Sequence, residues 1–160
     1  MSRMIRVLTR TRHVSKIEKF LTQVGLEHEI YTTNDTPPNT DYDLGLSYTH
    51  TRKIIEPELS KPKKGWVNFH PAPFPHYKGW KFIDQAIQNK ETHWGVSVHY
   101  IDENYDTGPI IKVLPIELHE PPTVFHELAA VSYHFLFILF KETIVDIYNQ
   151  KFQDVLQKND

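Results

Sequence analysis

The chain reads as an α/β protein with a mostly parallel, twisted sheet flanked by helices, finished by a strand pair and a long last helix. Three observations lead there. Strand-like and helix-like apolar patterns alternate from Met4 onward, the order that places helices on the faces of a parallel sheet. Two apolar strand patterns, Trp94 to Tyr100 and Pro109 to Leu118, then follow each other with only a polar loop between them. Finally, Pro122 to Asn149 carries helical spacing over its whole length. With 160 residues the chain has one-domain length and would bury roughly 70% of the surface its unfolded form exposes. A single domain is therefore expected over residues 1–150, with 151–160 a polar tail.

Taken in order, Met4 to Thr9 carries Ile5, Val7 and Leu8 and reads as the first strand. Arg10-Thr11-Arg12-His13 reads as a polar turn, after which Ser15 is a candidate cap for a helix with Ile17, Phe20, Leu21 and Val24 on its apolar side. Gly25 is the expected stop. Backbone N–H groups and two arginines at a helix start suit a phosphate, and a solvated basic turn explains the same residues equally well. Glu29 to Thr33 reads as the second strand, the proline-bearing stretch Asn34 to Thr40 as a loop, and Asp43 to Tyr48 as the third strand. Ile54, Ile55 and Leu59 suggest a further helical segment, and the basic turn 61–65 leads into the next strand.

That next strand ends in the stretch with the most chemistry. Strand side chains alternate sides, so Asn68 and His70 share one face while Val67 and Phe69 take the other. Prolines at 71, 73 and 75 fix φ and hold each preceding residue extended, which ends the regular ladder. A carboxamide donates a hydrogen bond to a developing oxyanion, and an imidazole donates a proton or polarises a carbonyl near neutral pH. The same pair also serves, in many strand exits, only to satisfy nearby backbone. Downstream, Phe82, Ile83, Ala86 and Ile87 have helical spacing. In the strand 94–100, Trp94, Val96, Val98 and Tyr100 share one face, and Gly95, Ser97 and His99 the other.

The loop Asp102-Glu103-Asn104-Tyr105-Asp106-Thr107-Gly108 opens like a calcium loop. Its sixth and twelfth positions are Thr107 and Val113 where glycine and a bidentate acid are required, so calcium is rejected. A polar hairpin loop and a loop presenting one carboxylate both remain, and Asp106 suits the second, because an acid beside an imidazole orients it. Among ten histidines, His119, His126 and His134 are spaced by seven and eight residues, which matches no zinc pattern, so no metal is expected. A net charge of −2 gives no reason to expect nucleic acid. There is no cysteine, hence no disulfide or thiolate chemistry. Met1 to Leu8 lacks a signal-peptide core, and the strongly apolar run Phe135 to Phe140 is shorter than a bilayer span, so a soluble cytoplasmic protein without membrane contact is expected. The helix around that run is apolar nearly all round, which implies either full burial or a shared surface with a second copy.

The run Gly65 to Gly79, with its Asn-x-His-Pro, followed by Gly95-Val96-Ser97-Val98-His99-Tyr100-Ile101-Asp102-Glu103 and Asp106-Thr107-Gly108-Pro109-Ile110-Ile111, resembles the folate-dependent formyltransferase family. The resemblance covers about Asp43 to the final helix and implies one Rossmann-like formyltransferase domain. It implies a catalytic trio at Asn68, His70 and Asp106, with 10-formyltetrahydrofolate as formyl donor and no metal. The donor would be held by the segment Ser47 to Ile55, with Ser47, Tyr48, Ile54 and Ile55, and by Ile101, Asp102, Glu103, Asn104 and Tyr105. Arg10, Arg12, Tyr77, Lys78, Gly79 and His99 are the expected contacts to the amine substrate.

The chain departs from the family in the short stretch between the first strand and Asp43, where Thr9-Arg10-Thr11-Arg12 stands in place of a glycine-bearing loop. With no basic surface and no match to a tRNA-binding extension, a methionyl-tRNA acceptor is not expected. The His-Pro-Ala-Pro form resembles the amino-sugar branch, which implies a nucleotide-linked amino sugar as acceptor. Glycinamide ribonucleotide formylation, hydrolysis of the same donor, and an inactive folate- or protein-binding relative are the alternatives.

Overall fold

The structure, a computed structural model, describes residues 3–77, 81–104 and 108–157. Six strands form one sheet: β1 (Ile5–Thr9), β2 (His28–Thr32), β3 (Leu44–Tyr48), β4 (Trp66–His70), β5 (His93–Tyr100) and β6 (Ile110–Glu117), in the spatial order β2-β1-β3-β4-β5-β6. The first four run parallel, and β5 and β6 are added antiparallel. Among the described residues, four helices accompany the sheet, α1 (Thr11–Gln23), α2 (Phe82–Gln88), α3 (Phe125–Tyr148) and α4 (Asp154–Gln157). The expected fold class, an α/β sheet with a closing strand pair and a long last helix, is the one that forms.

The alternation of side chains decides what covers each face. Ile5 and Val7, Leu44 and Leu46, Val67 and Phe69, and Val96 and Val98 point to one face and meet Ile17 and Leu21 of α1 and Leu136, Leu139 and Phe140 of α3. Phe140 ties this core together, with its ring 5.7 Å from Phe20, 5.7 Å from Tyr48 and 5.5 Å from Phe69. The other face is covered by two segments without helix, 33–43 and 49–65, over Leu8, Trp66 and Ile101. Arg6, 1% exposed, pins both: Nε donates to Glu29 at 2.7 Å, Nη1 to Glu58 at 3.2 Å, and Nη2 to the Pro38 carbonyl at 2.7 Å and Thr40 Oγ1 at 3.0 Å. The guanidinium also lies 4.3 Å from the Tyr42 ring centroid. Gly45 makes room on this face, because a Cβ there would lie 2.1 Å from the Trp66 indole.

Four expectations need correction. Helix α1 starts at Thr11 with Arg10 as its N-cap, not at Ser15. The reason is that His13 lies one turn before Ile17 and Leu21 and is buried with them, so the apparent polar turn is the first turn of the helix. Residues 54–59 form no helix, only turns from residue 56 on; Pro57 removes a donor from what would be its interior. The tail does not end the fold at 150, since α4 forms and Phe152, Val155 and Leu156 pack against the main core. Finally, the apolar stretch is longer than Phe135 to Phe140. The 24 residues of α3 include a window of mean hydropathy 1.5, enough in length and composition to cross a bilayer. Here the helix packs on β4, β5, β6 and α2, with the Trp94 indole N–H donating to Ser132 Oγ at 2.9 Å.

Candidate active site

The register across the sheet sets out the site. Leu8 pairs with Ser47, Ser47 with Asn68, and Asn68 with His99, so these four residues form one row across the face opposite α1 and α3. One step along, His70 pairs with Ser97. This row lies toward the carboxyl ends of the parallel strands, where open α/β sheets bind ligands.

Asn68 and His99 are 5% and 0% exposed, and Asn68 Nδ2 lies 3.1 Å from His99 Nε2. His99 Nδ1 lies 2.9 Å from the Tyr100 carbonyl, which only accepts, so Nδ1 carries the hydrogen and Nε2 accepts from the carboxamide. One amide hydrogen of Asn68 is thereby directed at His99. Gly108 closes against the same Tyr100 carbonyl, where an added Cβ would lie 1.6 Å from the oxygen. His70 is half-buried, and its Nε2–H donates to the Tyr77 carbonyl at 2.7 Å, so the lone pair of the neutral ring sits on Nδ1. The Phe74 ring meets His70 edge-on at 5.1 Å and lies 4.3 Å from the His99 ring.

The expected ligand residues divide. Ser47 is fully buried in the row and its hydroxyl has no hydrogen-bond partner among the described residues. Ile54 is buried with Leu8, Trp66 and Ile101, and Ile55 is 63% exposed. Asp102 turns back to accept from the Asn104 N–H at 3.0 Å, and Glu103 and Asn104 are exposed.

Tyr48, expected to contact the donor, points the other way. It is fully buried in the main core 5.2 Å from the His13 ring, and burial pushes its phenol far above the usual range, so it is a packing residue. Arg10 and Arg12 do not converge: Arg10 Nε donates to the Thr49 carbonyl at 3.0 Å, while Arg12 lies 5.8 Å from the Tyr133 ring on the α3 side. The Tyr77 side chain is also turned inward, its hydroxyl bonded to Glu91 at 2.6 Å and Asn89 at 2.9 Å. Its backbone is what reaches His70. Lys78, Gly79, Tyr105 and Asp106 lie outside the described residues. His119, His126 and His134 are exposed.

His50 lies inside the segment Ser47 to Ile55 expected to hold the donor, but sequence reasoning did not single it out. It borders a cavity of about 230 Å³ whose wall includes Leu8, Arg52, Ile54 and Ile55. His50 Nδ1 is buried without a partner among the described residues, and burial, with Arg52 and Arg10 nearby, lowers its pKa to about 4. Leu8 lies two strands from Asn68, so at a strand spacing of about 4.8 Å the cavity floor is roughly 10 Å from the carboxamide. Nothing in the local pattern marks His50, because the segment after β3 has neither helical nor strand periodicity.

Fold and row together define the class: an α/β protein that sets a carboxamide, oriented by one imidazole, beside a second imidazole toward the carboxyl ends of its parallel strands, groups suited to stabilising an oxyanion. Residues 47–127 match the model of the family described as formyl transferase. The chain is 36% identical over 108 residues to the GDP-perosamine N-formyltransferase of Brucella melitensis biotype 1, covering 67% of this chain and 40% of the relative. It is 34% identical over 93 residues to the methionyl-tRNA formyltransferase of Clavibacter michiganensis subsp. michiganensis, covering 58% and 29%.

Among solved structures, the formyltransferase PseJ from Anoxybacillus kamchatkensis, in complex with UDP-4,6-dideoxy-4-formamido-L-AltNAc and tetrahydrofolate, superposes with a TM-score of 0.66 at 25% identity over 90% of this chain and 76% of that one. Phosphoribosylglycinamide formyltransferase from Bacillus halodurans gives 0.74 at 18% identity over 92% and 94%. The chain belongs to the formyl transferase family. It spans 40% or less of the length of the Brucella and Clavibacter relatives.

Proposed function

We propose that this chain is an N-formyltransferase domain that moves a formyl group from 10-formyltetrahydrofolate to the primary amine of a nucleotide-linked amino sugar. The observation that carries the reading is the Asn68–His99 pair beside His70 within the family-matched segment, in a chain 36% identical to a GDP-perosamine N-formyltransferase. The cavity suits such a donor: His50 presents a buried ring nitrogen without a partner among the described residues beside the apolar Leu8 and Ile54, and Ser47, paired with Leu8, presents a hydroxyl in the same condition. Bound there, the folate supplies the formyl carbon.

The side chains then have distinct tasks. The amine attacks that carbon; the second hydrogen of Asn68 Nδ2 stabilises the resulting oxyanion, and a protonated His70 Nδ1 donates to it. Asp106 takes up the amine proton directly or through water, and its negative charge favours the protonated form of His70. The carbon–nitrogen bond to the folate breaks as that nitrogen receives a proton, leaving a formamide and tetrahydrofolate. A cytoplasmic setting and an acceptor other than nucleic acid belong to the same proposal.

A second reading is formylation of glycinamide ribonucleotide, since the fold is shared with the phosphoribosylglycinamide formyltransferase of Bacillus halodurans. Incubating the protein with 10-formyltetrahydrofolate and a panel of nucleotide-linked amino sugars plus glycinamide ribonucleotide, and following tetrahydrofolate by absorbance, separates the two. Formate release without acceptor supports hydrolysis instead. Folate binding with no turnover makes the chain a binding relative and ends the proposal.

A further inference from the structure

The segment after β4 lies across one face of β5, and Gly95, Ser97 and His99 on that face all meet it. Gly95 lies under Pro73, where an added Cβ would come within 3.4 Å of the proline Cβ. The Phe74 ring stacks on His99. Between them, fully buried Ser97 bridges the segment twice: its hydroxyl donates to the Ala72 carbonyl at 2.7 Å and accepts from the Phe74 N–H at 2.8 Å. Ala72 and Phe74 are themselves 0% and 5% exposed, so water does not replace these bonds.

The two ends of the same segment carry the chemistry. His70 precedes it and is paired with Ser97 in the sheet register. Tyr77 closes it with the carbonyl that accepts from His70 Nε2–H. Phe74, placed by the Ser97 bond, sits against both histidine rings. We infer that Ser97 is a positioning residue for formyl transfer: by clamping the backbone of Ala72 and Phe74 it sets the seven-residue path from His70 to the Tyr77 carbonyl and so fixes the orientation and tautomer of the His70 imidazole. It acts through His70 and touches no substrate. The catalytic half of this inference rests on the formyl-transfer reading above; the tautomer half does not.

The test compares Ser97→Ala and Ser97→Thr with the parent in steady-state formylation and in nitrogen–proton correlation spectra of the His70 ring. In Ser97→Ala, kcat falls by about tenfold to a hundredfold, the loss a small misplacement of a reacting group produces. KM for donor and acceptor stays within about twofold, because substrate binding is not what Ser97 supports. The ring signals change from one Nε2–H tautomer to an exchanging mixture. Ser97→Thr keeps the hydroxyl and restores both kcat and the single tautomer. An unchanged Nε2–H signal in Ser97→Ala overturns the inference, as does an unchanged kcat, or a kcat loss that vanishes on cooling together with a lowered Tm. Should the parent formylate no acceptor, the functional reading falls while the His70 spectrum still decides whether Ser97 holds the ring.

Discussion

Asn68 carries two amide hydrogens, and one is directed at His99 Nε2. In the proposed reaction the other meets the oxyanion, so Asn68→Ala is expected to lose about 2.7–4 kcal/mol of transition-state stabilisation, the range for a single oxyanion donor. Donor affinity measured by isothermal titration stays near the parent value, and an equal loss of donor binding argues instead for a ground-state contact. His70→Ala and Asp106→Ala each lower kcat by several orders of magnitude with cooperative unfolding retained; near-normal turnover in either removes the mechanism.

His13 makes a separate prediction about pH. It is 2% exposed, neither ring nitrogen has a partner among the described residues, and burial with Lys16, Arg12 and Arg10 nearby lowers its pKa to about 3. The folded state therefore binds fewer protons than the unfolded one between about pH 6.5 and pH 3, and stability present above that window is lost as the pH falls through it. Tm measured from pH 7 to pH 4 should decline, and should decline less in His13→Phe.

Elements differ in how they are held. Helix α1 has an apolar stripe, whereas the cover of the opposite face depends on one guanidinium. Removing it in Arg6→Met leaves Glu29 and Glu58 without their cationic partner, and takes a donor from the Pro38 carbonyl and the Thr40 hydroxyl. Because Glu29 and Glu58 are 21% and 36% exposed, a loss of roughly 3 kcal/mol is expected, the lower end for a broken buried pair, read from urea unfolding. Gly45→Ala acts on the same cover by driving Trp66 from its place and breaking its indole N–H bond to the Glu58 carbonyl. The variant is expected to unfold at lower urea than the parent, with the Trp66 fluorescence shifted.

At this scale it is also clear what the chain revealed by itself. Period-two alternation was enough to put Asn68 and His70 on one face and Ser97 and His99 on the face beside it, because strand geometry leaves no freedom there. It did not disclose that Tyr48 faces the core, since the donor-binding expectation covered a continuous segment while strand neighbours point to opposite sides. The start of α1 was hidden because its first buried position is a histidine rather than an aliphatic residue. The cover over 49–65 was hidden because its order comes from Arg6, Glu58 and Tyr42, contacts of long sequence separation that no local pattern records.

For the molecule as a whole, the outer surface of α3 raises the matter of partners. At the start of this helix Val124 and Phe125 are 44% and 47% exposed. A second copy of the chain meeting this surface remains our proposal, and sedimentation equilibrium of the parent and Phe125→Glu is its test. A dimer dissociated by the substitution supports it, and a parent that is monomeric at all concentrations rejects it.

The single guanidinium beneath the helix-free cover has one more effect. Glu58 and Ile54 belong to the same short stretch, and Arg6 links that stretch to the backbone at Pro38 and the hydroxyl of Thr40. Pro37 lines the same cavity as Ile54, so a molecule settling there bears on both segments of the cover at once. Slower amide exchange around residues 38–40 on ligand addition would be the trace of that tether.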